Sequence, residues 1–214
     1  MDIQFKKIID ISVTLHNNTA VYPGNPPVQI EQFQSSTGLS RNSKMVLGTH
    51  VGTHIDAPGH ALEKGLDIDD LSLNLFIGPC RVLDLTHVKG AITVHDLQTK
   101  KLGRNERILF KTQNSRRGFE TFYDDYVYLS AEAAQHIVDS GVILCGIDAW
   151  SVKQKGSQDN RPHTILLEKL IPIVEGLDLT HVIEGSYYLI VLPLKVQAPD
   201  GAPARAILLE SSDI

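Results

Sequence analysis

The chain has 214 residues, 42% of them hydrophobic and 21% charged, with a formal net charge of −5, as expected of one soluble globular domain spanning 1–214 with a full core. No basic cluster exceeds Arg116-Arg117 or Lys100-Lys101, which argues against a nucleic-acid partner. No apolar run reaches the ~20 residues of a membrane helix, and the first residues hold no apolar stretch of signal-peptide length, so the cytoplasm is the expected location.

In chain order, the β-branched stretch Ile8 to Leu15 predicts a strand, ended by His16-Asn17-Asn18-Thr19. Val21-Tyr22-Pro23-Gly24-Asn25-Pro26-Pro27 is a rigid loop whose prolines can hold the Tyr22 ring at a fixed place. Strands follow over 28–33 and 44–47. After the segment treated below, 65–71 predicts a short helical turn. Phe76 to Leu85 predicts a strand that Gly78-Pro79 marks as an edge or a bulge. Thr93 caps a short helix, with Asp96 three residues on. Arg107 to Thr112 is a strand and 113–128 a long surface loop of the kind that borders active sites. Ser130 caps a helix that Gly141 ends, and Val142 to Ile147 follows as an apolar strand, the αβ half of an α/β unit. A loop over 149–162 precedes a helix over 163–170 and a short strand from Ile171 to Val174 that ends at Glu175. Strands over 187–196 and 206–210 close a β-rich α/β domain with a mixed sheet. Cys80 and Cys145 sit in apolar runs and read as buried free thiols. No Gly-x-Ser-x-Gly elbow is present, and Ser186 falls in an expected hairpin turn.

The chemistry concentrates in residues 48–60, Gly-Thr-His-Val-Gly-Thr-His-Ile-Asp-Ala-Pro-Gly-His. His50, His54, Asp56 and His60 lie at even positions, one face of a strand. On a straight strand His50 and His54 would stand ~13 Å apart, too far to share an ion at ~2.1 Å from each nitrogen. A shared ion therefore requires a bend, and Gly52 can supply it. Imidazole with carboxylate suits zinc, with manganese and iron as alternatives. His50, His54 and Asp56 make three ligands and leave a position for water. His60 is either a fourth ligand or a proton carrier beside that water. His163, after Pro162, and Glu175, at the carboxyl end of a strand, become relevant if a second ion binds.

The pattern Gly-Thr-His-x-Gly-Thr-His-x-Asp-x-Pro-x-His resembles the signature of the cyclase family of metal-dependent hydrolases. The likeness extends to Asp10-Ile11-Ser12, Val21-Tyr22-Pro23-Gly24, Ile77 to Val82, Gly146-Ile147-Asp148, Leu192 to Lys195 and Pro203 to Ala206. The resemblance implies the swivelling β/β/α type of fold and a homodimer or higher homo-oligomer. In the family's formamidase branch it implies hydrolysis of a small aryl formamide or amide with two zinc ions. His50, His54 and Asp56 would then hold the first, and Asp56 would bridge to a second held with His163 and Glu175. His60 would be the proton donor and acceptor. The isatin-hydrolase branch implies one manganese at the first three ligands and a cyclic amide, imide or lactone as substrate. Tyr22 stands where formamidases of this branch carry a tryptophan against the substrate ring, and 149–162, with Trp150, Lys153 and Lys155, also departs from them. A reading of a different class is a non-catalytic protein whose metal only ties loops together; the lack of cysteine in the motif argues against it.

Overall fold

The computed structural model describes residues 5–198 and 200–211. Its strands are β1 (Phe5–Asp10), β2 (Gln29–Gln34), β3 (Arg41–Val46), β4 (His54–Asp56), β5 (Ile77–Asp84), β6 (Ala91–Ile92), β7 (Arg107–Lys111), β8 (Tyr128–Leu129), β9 (Leu144–Ile147), β10 (Ile173–Glu175), β11 (Gly185–Pro193) and β12 (Gly201–Ser211). The α-helices are α1 (Val94–Gln98), α2 (Asn114–Arg117), α3 (Ala131–Asp139) and α4 (Arg161–Leu167). Among the described residues, no helix is long and apolar enough to cross a membrane.

The main sheet runs β1-β12-β11-β5-β7-β9-β10-β4, and β12 pairs with β4 as well. That extra pairing closes every strand but β1 into a barrel. β5, β7, β9 and β10 are parallel neighbours; the remaining pairs in the barrel are antiparallel. β12 spans two partners on one side. Gly201 to Pro203 face β4, while Ile207 to Ser211 face β1.

The apolar runs of β7 and β9 follow from burial on both faces. Ile108 and Phe110 join Cys145 and Ile147 in a layer under the helices, with Leu97, Ile137 and Leu166. Leu109 and Leu144 point the other way, into the barrel, against Ile55, Val174 and Leu189. The α3 signals work as expected. Ser130 Oγ accepts from Ala133 N at 3.1 Å, and Gly141 ends the helix at φ +77°. At α1, Asp96 accepts from both the backbone N and the hydroxyl of Thr93.

Several boundaries and assignments differ. The first strand occupies Phe5–Asp10: its ladder with β12 stops at Asp10–Ile207, and further along that edge β12 pairs with β4 instead; beyond it Ser12 makes an isolated bridge to Leu177. Gly78-Pro79 lies in a strand flanked by β11 and β7, not at an edge. The irregularity fits because pairing with β7 begins only at Cys80. Gly78 makes room for the buried Arg107: a Cβ there would lie 2.6 Å from Nη1. Residues 113–128 are an exposed loop only in part: α2 occupies Asn114–Arg117, and both ends of the stretch are buried while Glu120, Thr121, Asp124 and Asp125 are exposed. Asn114 and Ser115 are buried, Asn114 exchanges hydrogen bonds with Val127, and Asp148 accepts from the backbone and hydroxyls of Thr112 and Ser115. Ser186 belongs to β11 rather than a turn. Both cysteines are free and buried; burial pushes the Cys80 thiol up to about 12.

Candidate metal centre

The histidine-rich segment bends as required. Its strand is only His54–Asp56, residues 49–53 are irregular, and Gly52 has φ +54°. A Cβ at Gly52 would also lie 2.6 Å from Leu15 Cδ2, so both conformation and space favour glycine. β4 is short but anchored on both sides. His54 stands opposite Glu175 of β10 in the register, and Asp56 opposite Gly201 of β12. Pro58–His60 is a single 3-10 turn that carries His60 back towards the ligands. Pro162 in the first turn of α4 presets its geometry, and His163 follows at once.

These elements bring all six predicted polar residues together. His54 Nε2 lies 3.5 Å from Asp56 Oδ1 and 3.4 Å from Glu175 Oε2. His163 Nε2 lies 3.5 Å from both Asp56 Oδ2 and Glu175 Oε1. Two imidazoles and two carboxylates thus alternate around one point. His50 Nδ1 is 2.8 Å from Asp56 Oδ1, and the His60 ring lies 4.2 Å from that of His50 and 5.2 Å from that of His163. Ligand atoms converge within 4.8 Å in two triads, His50–Asp56–His60 and His54–Asp56–Glu175, joined through Asp56. His60 therefore falls within reach of the ligand group and, being exposed, also faces the mouth.

The donor set fits a cation. His54 Nε2 and Asp56 Oδ2, both at that point, are buried with no hydrogen-bond partner; His163 Nδ1 is unpartnered too, but it is Nε2 of that ring that meets the carboxylates. His54 Nδ1 lies 2.9 Å from Gly52 O; with the proton assigned there, Nε2 turns a lone pair inward. Two buried carboxylates whose oxygens lie within 4.8 Å of one another need countercharge. Burial works against a charged His50, yet Asp56, with Glu175 and Asp200, pushes it up to about 9. Burial likewise opposes ionised Asp56, and His50 with the other imidazoles holds it well below the usual carboxylate range. The position thus favours positive charge. Glu175 is fixed from behind: its Oε1 accepts from Val152 N at 2.7 Å.

A cleft of about 220 Å³ opens over this point, with Tyr22, His60, Trp150 and Lys153 among its walls. The Tyr22 loop is tied to the histidine segment by Asn25 Nδ2, which donates to His50 O at 3.1 Å. The Tyr22 ring meets Phe122 edge-on at 5.5 Å, and Lys155 Nζ sits 4.6 Å from its centroid. Phe119, Phe122 and Tyr123, from the segment read as a surface loop, pack against Trp150. Sequence reasoning missed Asn25, Ser151 and Asp200. Ser151 Oγ is 3.4 Å from His163 Nε2, and Asp200 Oδ2 is 3.1 Å from His50 Nε2. No spacing rule links Asp200 to the motif; only the β12–β4 pairing brings it there.

A family model described as "Putative cyclase" matches residues 9–154. A kynurenine formamidase of Salinibacter ruber is 37% identical, over 96% of this chain and 99% of its own length. One from Bacillus cytotoxicus is 36% identical, over 94% and 96%. A solved structure titled a potential metal-dependent hydrolase with cyclase activity superposes with a TM-score of 0.86 at 32% identity, covering 96% of this chain and 98% of that one. Isatin hydrolase A from Ralstonia solanacearum shares the fold, with a TM-score of 0.83 at 20% identity over 96% and 92%.

Proposed function

Because the chain belongs to the cyclase family, we propose that it is a metal-dependent hydrolase cleaving a small aryl formamide, with N-formylkynurenine, giving kynurenine and formate, as its first candidate substrate. The observation that carries this reading is the closed alternation of His54, Asp56, His163 and Glu175, with buried donor atoms left unpartnered beneath an open cleft. The kynurenine formamidases that resemble it over almost their whole length support the substrate class.

Two zinc ions are the proposed complement, with manganese as the alternative. On the family's pattern His50, His54 and Asp56 would hold one ion and Asp56, His163 and Glu175 the other, whereas the geometry groups His50 with His60 and His54 with Glu175, each about Asp56. Bound there, divalent cations supply Lewis-acid polarisation of a carbonyl and acidify water. The residues do the rest. Tyr22, braced by Phe122, offers an aromatic face to an aryl substrate. Trp150 and its aromatic neighbours keep that wall apolar. His60, at the mouth and beside His50 and His163, takes a proton from the attacking water and returns it to the leaving nitrogen. A metal that merely tied loops together would not need an open cleft above it.

The working unit is proposed to be a homodimer or larger homo-oligomer. The β2–β3 hairpin forms a separate two-stranded sheet whose register puts Phe33, 53% exposed, and Val46, 43% exposed, on one face, apolar side chains that a second copy could cover. Light scattering that gives the mass of one chain would refute this.

The functional test is turnover of N-formylkynurenine, isatin and simple cyclic imides by protein of measured metal content, before and after chelation. Formamide cleavage that vanishes on chelation and returns with zinc or manganese is expected. Preference for the cyclic substrates would favour the second reading, consistent with Tyr22 adding a hydroxyl to that wall. Chelator-insensitive turnover, or none on any substrate, would overturn the proposal.

A further inference from the structure

Asp200 has no part in the chemistry so far, yet its placement is tightly determined. Its backbone is pinned where β12 meets β4: Ala57 N donates to Asp200 O at 3.0 Å. The next residue, Gly201, pairs with Asp56. A Cβ on Gly201 would lie 2.3 Å from Ile55 O and 3.3 Å from His50 Cε1, so the strand passes hard against the His50 ring. The Asp200 side chain is steered too. Its Oδ2 accepts from Thr49 Oγ1 at 2.5 Å and lies 3.1 Å from His50 Nε2. The other ring nitrogen, Nδ1, faces Asp56 Oδ1 at 2.8 Å.

His50 is therefore gripped from two sides by carboxylates of different character. Asp56 is fully buried among the ligands, whereas Asp200 lies at the rim and is held by a threonine hydroxyl. A neutral imidazole carries one proton. If Nε2–H donates to Asp200, Nδ1 is left with its lone pair on the side of Asp56, where the ligand atoms converge. If Asp200 were absent, nothing else among the described residues would hold the proton on Nε2.

We propose that Asp200 is a positioning residue for the metal centre: its carboxylate, steered by Thr49, accepts from His50 Nε2–H and so presents Nδ1 of His50 as the ligand atom. This rests on the metal-centre reading above. It also assigns a role to the C-terminal strand, which brings the outer partner of the first histidine in the motif. Such carboxylate–histidine pairs orient the ring and raise its basicity, and their loss costs about 10–100-fold in metal affinity.

The test is zinc affinity of metal-stripped protein, measured by competition with a chromophoric chelator, with the thermal midpoint of the stripped protein as a control. Asp200→Ala is expected to weaken one zinc site by about 10–100-fold with little change in that midpoint. Asp200→Asn, which keeps an acceptor oxygen, should recover most of the loss. Thr49→Val, which leaves the carboxylate but frees it, should weaken binding in the same direction by less, and it covers the case in which Asp200→Ala does not fold. In a His50→Ala background, Asp200→Ala should have no further effect. Affinity within twofold of wild type in Asp200→Ala, or an undiminished loss in the His50→Ala background, overturns the positioning role alone. Wild-type protein that binds no zinc overturns the metal-centre reading, and this inference with it.

Discussion

Replacing Thr53 with valine tests how the two halves of the site are joined. The Thr53 hydroxyl is buried; it donates to Gly176 O at 2.6 Å and accepts from Val13 N at 2.9 Å. It thereby links the segment between His50 and His54 to the residue after Glu175. Valine matches the shape but has no hydroxyl. Gly176 O would lose a buried partner at a cost of about 1–3 kcal/mol, and Val13 N, which is half-buried, about 1 kcal/mol more. The sum, about 2–4 kcal/mol, corresponds to a fall of roughly 4–16 °C in the melting temperature for a chain of this size. Thr53→Ser keeps the hydroxyl and loses one methyl group, costing about 1 kcal/mol. Differential scanning calorimetry of metal-stripped protein compares the two variants. Equal shifts for valine and serine would show that packing, and not the shared hydroxyl, couples the segments.

Two further outcomes are expected. His60→Ala should retain its metal by elemental analysis while turnover falls by about 10²–10⁴-fold, the range for a lost general acid–base group; metal lost along with activity would make His60 a ligand. At Asp10, burial opposes the charge, but hydrogen bonds from Arg205 and Ser12 win and hold the carboxyl below its ordinary range. A depressed carboxylate stabilises the fold fully above its unfolded pKa, and that contribution is lost as pH falls below roughly 4 through the folded pKa. Asp10→Asn should therefore flatten the acid limb of a stability–pH curve below roughly pH 4, and an unchanged acid limb would rule out this contribution.

The site was legible where its residues are local. His50, His54, Asp56 and His60 fall within one short segment, and the demand that it bend at Gly52 follows from strand geometry alone. His163 and Glu175 carried little signal by themselves; the resemblance to a known family singled them out, and the β4–β10 register explains why Glu175 faces His54. α3 was readable because both its ends carry their own signals, Ser130 and Gly141. Barrel closure was not, because nothing in the composition of β12 announces that it pairs with β11, β4 and β1. Asp200 stayed hidden for the same reason. Only the ends of 113–128 escaped the loop reading, because their polar residues are satisfied inside the protein: Asn114 and Ser115 bond to Val127 and Asp148, which sequence patterns do not reveal.

The double pairing of β12 bears on the order of events during synthesis. Chains emerge N-terminus first, so the ribosome releases the histidine-rich ribbon long before the strand that seals the ring against it. Until then β4 and β1 lack their shared neighbour, and contacts spanning nearly the whole polypeptide, such as Arg205 with Asp10, cannot form. Such long-range closure slows folding. Cotranslational capture of metal by the early ligands would thus meet a half-built vessel, and firm retention would wait for the last strand to dock.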